Sequence, residues 1–225
     1  MTAVFITGTG TDLGKTFVAA GLIRAMRREG RAVEAVKPVV TGFDPAAVDE
    51  SDPARLLRAM DRPVTAEEIA RISPWRYGAA LSPDMAARVE GRVLDVEAVI
   101  AFCRAAAASP GTLLIEGVGG IMVPLDERWT VLDWMAALGL PLLLVAGSYL
   151  GTLSHTLTAL EVLARRGLAV AAVVVSESEA TTVPLGETLR TLGNFLRDVP
   201  LVAVPRLAEG ADHRAFAELA RRLLR

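Results

Sequence analysis

The chain has little sulfur chemistry available to it. Cys103 is its only cysteine, which excludes an internal disulfide and a cysteine-built metal cluster and suits a reducing cytoplasm. That residue lies in DVEAVIAFCRAAAA, a run of helical character, where a thiol behaves as a small buried hydrophobe, and it is assigned no role. Excess charge is missing too. The 24 Lys and Arg against 26 Asp and Glu leave a formal net charge of -2. No global field then draws nucleic acid or an anionic membrane, and any bound anion must be held by a local site. No apolar run approaches the roughly 20 residues needed to span a bilayer, and Met-Thr-Ala leads straight into an apolar strand without a basic leader. Internal repeats and low-complexity tails are absent. The expectation is a soluble cytoplasmic protein with neither nucleic acid nor membrane as partner.

What is present is an alternation of short apolar runs and longer segments of helical period. Residues 3–7, 32–40, 112–117, 141–147, 169–176 and 200–204 read as strands, and several are apolar almost throughout, as parallel strands covered on both faces must be. Residues 15–29, 95–109, 152–166, 184–197 and 212–224 read as helices, the first closing on Arg-Arg before Gly30. Strand, helix and strand repeated in this way predict a doubly wound α/β fold of the P-loop NTPase type, a mostly parallel sheet with helices on both faces. At 225 residues a single domain over 1–225 is expected. Residues 43–92 interrupt the rhythm with several prolines and short helical pieces. Such an insert at the carboxyl ends of strands is expected to build the substrate side.

The first βα junction, GTGTDLGKT at 8–16, carries the chemistry. Gly8, Thr9, Gly10, Thr11, Asp12, Leu13 and Gly14 lie between a strand and a helix opening at Lys15 and Thr16, which is the context a phosphate loop requires. Glycines let backbone N–H groups turn inward around phosphate oxygens, and the helix adds its positive end. Lys15 would neutralise the β and γ phosphates, and the Thr16 hydroxyl would ligate Mg²⁺. The loop departs from the usual G-x-x-x-x-G-K-[ST] in having five residues between Gly8 and Gly14. Two further positions fit the same site. Lys37 falls near the carboxyl end of a strand expected to neighbour that of the loop, where ligands bind in open α/β sheets. Glu116 closes the apolar strand TLLIE before a glycine-rich turn, and Mg²⁺ takes one or two carboxylates beside phosphates and water.

The G-x-x-x-x-x-G-K-T loop, KPVVTG at 37–42, LIEGVGG at 114–120 and LGTLSHT at 150–156 together resemble the ATP-dependent dethiobiotin synthetases. The resemblance runs from Val4 to about Ala159 and returns at AVPRL around Pro205. It implies ATP as co-substrate, Mg²⁺, and a homodimer acting on 7,8-diaminononanoate and CO₂, with the substrate site at the subunit interface. It places Lys37, Lys15 and Thr11 as catalytic, and Gly8 to Thr16 with Ser176 and Pro205 on the nucleotide. Thr16, Asp52 and Glu116 would hold the metal. Lys37, Thr41, Gly119 and the turn Gly151, Thr152, Leu153, Ser154 would hold the substrate, the last four mainly through backbone N–H groups at a helix start. From spacing alone Asp52 reads equally well as a helix N-cap before Pro53, and His155 as a capping or core residue rather than a base.

Three positions depart from the family pattern. Ala80 and Asp84 stand in AALSPDMA where proline and histidine are usual, and Ser176 stands where many members carry an adenine-reading asparagine. A serine cannot present the paired donor and acceptor of a carboxamide. The alternative reading is a partition or division-site switch ATPase, a dimeric binding module. In that reading HRAFAELARRLLR at 213–225 would be a membrane-seeking helix, whereas Phe216, Leu219 and Leu223 also fit a core-facing stripe.

Overall fold

A computed structural model of the chain describes residues 2–179, 181–196 and 198–223. In chain order the strands are β1 (Thr2–Gly8), β2 (Val33–Val36), β3 (Val39–Thr41), β4 (Trp75–Tyr77), β5 (Thr112–Glu116), β6 (Leu142–Gly147), β7 (Val170–Ser176) and β8 (Leu201–Val204). The helices are α1 (Lys15–Arg28), α2 (Asp52–Ala59), α3 (Ala66–Ile72), α4 (Pro83–Val89), α5 (Val96–Ala107), α6 (Val131–Leu138), α7 (Thr152–Arg165), α8 (Leu185–Gly193) and α9 (Arg214–Leu223). Six strands form one sheet in the order β2-β5-β1-β6-β7-β8, and every pairing in it is parallel. All residues of β5 and β6 are buried, those pointing to either side alike, so the sheet is covered on both faces. The cover comes from α1 packed with α2 and α9, α5 with α6, and α7 with α8.

The expected strand over 32–40 is two strands. Pro38 has no N–H to donate to a ladder, and the chain leaves the main sheet there. The Lys37 N–H goes to the Ile72 carbonyl, and β3 pairs instead with β4 in a small parallel sheet. The strand carrying Lys37 also does not neighbour the loop strand as expected, because β5 lies between β2 and β1. Composition explains the order. TLLIE is buried throughout and suits a strand paired on both sides, whereas β2 carries the partly exposed Glu34 at the sheet edge.

Helix α6 was not among the helical segments expected. Thr130 and Asp133 form its capping box, Thr130 N–H donating to Asp133 Oδ2 at 3.0 Å and Asp133 N–H to Thr130 Oγ1 at 3.4 Å. Its Trp134 meets Phe5 of β1 edge to face, with ring centroids 4.9 Å apart. Gly117 is open to the same ring, since a Cβ there would lie 2.8 Å from it. α8 ends at Gly193, short of the expected 197, and Arg197 and Leu224, the expected ends of two helices, lie outside the described residues. In α9, Phe216, Leu219 and Leu223 are buried, and Phe216 packs on Phe17 and Gly21 of α1. The apolar stripe is thus consumed within the fold. Among the described residues no helix is long and apolar enough to cross a membrane.

Candidate active site

The phosphate-loop sequence forms a tight turn between β1 and α1. Thr9 N–H still donates to Val145 of β6 at 3.0 Å. Asp12 (φ 55°) and Gly14 (φ 87°) then take left-handed conformations that let the chain double back, and Gly14 opens α1 without any side-chain cap. The N–H groups of the first turn of α1 therefore face the loop with the positive end of the helix dipole. Lys15 folds back and donates from Nζ to the Gly10 carbonyl at 2.8 Å. A Cβ at Gly8 would sit 3.2 Å from Gly10 O and Val145 O and 3.3 Å from the Lys15 stem, so the first glycine makes room for the lysine. Burial, followed by the charge of Lys37, lowers the Lys15 pKa to about 8. A buried cation without a carboxylate in contact gains from any anion brought to it.

Beneath the loop, four side chains from distant parts of the sequence converge. Glu116, at the end of β5 and 1% exposed, accepts at Oε1 from the Thr16 hydroxyl at 2.6 Å and from Lys37 Nζ at 2.8 Å. Lys37 also pairs with Asp52. Burial alone would lower the Lys37 pKa, but Glu116 and then Asp52 hold it above the ordinary lysine value. Burial would likewise raise that of Asp52, and Lys37 overrides it downward. The helix N-cap reading of Asp52 is corrected by one position. Ser51 caps α2 through its Oγ, which accepts from Ala54 N–H at 3.3 Å, and this frees the Asp52 carboxylate to face Lys37.

Among the described residues no three His, Cys, Asp or Glu side chains gather as a metal centre. The donor set at the loop is instead two carboxylates and a hydroxyl. Such hard oxygens fit Mg²⁺, which completes its shell with phosphate and water. Glu116 Oε2 is buried and has no hydrogen-bond partner, leaving an acceptor for a cation.

The remaining expected site residues lie in three groups. Gly119 (φ 60°) lies in the turn after β5 beside Thr11, whose hydroxyl would be 3.6 Å from a Cβ there, and Gly120 abuts Thr9 and Gly10. Thr41 ends β3, and Gly42 next to it faces Ala80, 3.2 Å from a Cβ at that glycine. Asp84, the other departure, is held within its own neighbourhood by the Ser82 hydroxyl at 2.5 Å and Arg88 at 3.2 Å. The third group opens α7: Gly151 (φ 98°) precedes it, Thr152 donates through Oγ1 to the Gly147 carbonyl at 2.6 Å, and Leu153 and Ser154 follow in the first turn. His155 neither caps the helix nor enters the core. It is exposed and shares a 2.7 Å hydrogen bond with Tyr149.

Beside the loop, a groove of about 370 Å³ runs between α1 and the ends of β7 and β8. Ser176 and Pro205 both line it, and the Ser176 hydroxyl stands 2.8 Å from where a Gly14 Cβ would be. Phe17 and Arg24 line it too, and the sequence reading missed both. For Arg24 the signal was available in its spacing from Thr16, since positions 16, 20 and 24 share one face of a helix.

Residues 2–212 match the model of a family described as an AAA domain. The ATP-dependent dethiobiotin synthetase BioD of Caulobacter vibrioides is 53% identical over 208 residues, covering 92% of this chain and 93% of its own. The protein of the same name from Phenylobacterium zucineum is 46% identical over 230 residues, covering 100% and 98%. Among solved structures, the cell division ATPase MinD of Pyrococcus furiosus aligns over 100% of this chain and 99% of its own, with a TM-score of 0.56 at 18% identity. That likeness is one of fold. The switch-ATPase alternative therefore rests on fold alone, while half the residues along nearly the whole chain are shared with synthetases.

Proposed function

Because the chain belongs to the ATP-dependent dethiobiotin synthetase family, we propose that it closes the ureido ring of dethiobiotin from 7,8-diaminononanoate, CO₂ and ATP. The observation that carries this reading is the meeting of Lys15, Thr16, Lys37, Asp52 and Glu116 at one end of the sheet, drawn from four separate segments.

One amine of the substrate adds to CO₂ and loses a proton, giving a carbamate. A carbamate oxygen then attacks the γ-phosphorus of ATP, and ADP leaves. The second amine attacks the carbonyl carbon of the resulting mixed anhydride and gives up a proton, and phosphate departs as the C–N bond closes the ring. Each step develops or moves negative charge, so positioned cations supply the catalysis. Lys15, already desolvated, faces the β and γ phosphates. Lys37 orients the carbamate and steadies the transferring phosphoryl group. Thr11 and the loop amides hold phosphate oxygens, and Thr16, Asp52 and Glu116 would hold Mg²⁺. When bound, that ion would supply further neutralisation of the triphosphate's negative charge. Thr41 and Gly119 lie on the substrate side, and the first turn of α7 receives the substrate carboxylate from a second copy of the chain in a homodimer.

The test is incubation with diaminononanoate, bicarbonate, Mg²⁺ and ATP, with mass detection of dethiobiotin. ATP hydrolysis without that product overturns the reading. Lys37→Ala should keep nucleotide affinity and lose product.

A further inference from the structure

The groove beside the phosphate loop is lined by a cation, Arg24, that makes no ion pair or hydrogen bond through Nη2 among the described residues. Thr16, Ala20 and Arg24 form one wall along α1, and from the first to the last the wall runs about 12 Å. That is a span a nucleoside can cover when its phosphates lie on the loop. Arg24 Nη2 is buried and has no hydrogen-bond partner. Burial, and after it the like charge of Arg28, lowers the Arg24 pKa. The acids that face it are engaged elsewhere: Asp212 is bonded by Arg28, and Glu209 lies 3.7 Å from Arg55. An unpaired guanidinium nitrogen lining a ligand groove calls for an acceptor on the ligand.

Resting on the reading that loop 8–16 holds a nucleoside triphosphate, we propose that Arg24 reads the nucleobase and makes the site receptive to guanine. Arginine carries donors only, in a planar fork. Guanine presents O6 and N7 side by side as two acceptors, while adenine sets a donor amine beside its N7. Ser176, across the groove, can donate or accept and rejects neither base. The site therefore binds GTP comparably with ATP, and Arg24 is the residue that sets this balance.

The experiment is calorimetric binding of ATP, GTP, CTP and UTP, each with Mg²⁺, to the wild-type chain, Arg24→Met and Arg24→Lys, with thermal unfolding of each to verify folding. Wild type should bind GTP within about tenfold of ATP, and Arg24→Met should weaken GTP by about tenfold or more while weakening ATP by less than about threefold. Arg24→Lys keeps the charge but not the fork, and should weaken GTP as Met does. Equal weakening of all four nucleotides in Arg24→Met overturns the base-reading role and leaves the phosphate loop intact. A wild type that binds none of them overturns the phosphate-loop reading as well.

Discussion

Deleting the ammonium of Lys37 isolates what one buried cation does for two carboxylates. Lys37→Met keeps the length of the side chain and removes its charge. Glu116, 1% exposed, would retain only the Thr16 hydroxyl, and its Oε2 has no partner to begin with. The Asp52 side chain, 35% exposed, can rehydrate. Removing one member of a buried ion pair costs about 3–5 kcal/mol. The expected deficit is thus about 3–5 kcal/mol, or a fall in Tm of about 6–20 °C for a chain of this length. The pH dependence follows from Asp52, whose pKa Lys37 lowers in the wild type: the stability this contributes is present above the unfolded carboxylate range and is lost as pH falls through the folded pKa. Lys37→Met removes that contribution, so the deficit should shrink on acidification. Urea unfolding of both proteins at about pH 7 and about pH 3 measures the difference. A variant within about 1 kcal/mol of wild type at pH 7 would refute the dependence of the carboxylates on Lys37. A deficit of the same size at both pH values would assign it to packing.

Other positions give independent checks. A Cβ at Gly21 would lie 2.4 Å from the buried Phe216 ring, so Gly21→Ala should lose about 1–2 kcal/mol despite its better helix propensity, and Phe216→Leu should be less costly in that background than alone, as a double-mutant cycle in denaturant will show. Gly14→Ala meets both the positive φ and the Ser176 hydroxyl, and should cost about 1–2 kcal/mol of stability together with nucleotide affinity. Adding Ser176→Gly should recover only the contact, so a full recovery in calorimetry would contradict the strain argument. Thr130→Ala removes the capping box of α6 and should lower stability by about 1 kcal/mol in thermal unfolding, while dethiobiotin formation, measured by mass, is unchanged.

The parts of the molecule that were legible in the sequence are those whose cause is local. Apolar runs such as LLLVAG predict buried parallel strands because both faces of each residue pair are apolar, and GTGTDLGKT predicts its turn because only glycine accommodates Lys15 folded against Gly8 and a φ of 87° at Gly14. Some local signals were present but outweighed. Pro38 marks the break between β2 and β3, yet the apolar continuity of AVEAVKPVV suggests one strand. Thr130 and Asp133 stand at capping-box spacing, yet only eight residues of helix follow. Ser51, one residue before Asp52, has the better geometry to cap α2. What no local signal carries is the convergence on Glu116. Lys37, Asp52 and Thr16 lie 79, 64 and 100 residues from it in sequence, and they meet because β5 inserts between β2 and β1. That strand order is decided by how much apolar surface each strand must bury on its two edges, a property of the whole sheet. Lys37 is thereby delivered to the acid of its neighbouring strand rather than to the loop directly, and the acid in turn holds the loop through Thr16. The consequence is a connection that the motifs do not reveal individually: Lys37 and Thr16 of the phosphate loop are held by the same Glu116 oxygen.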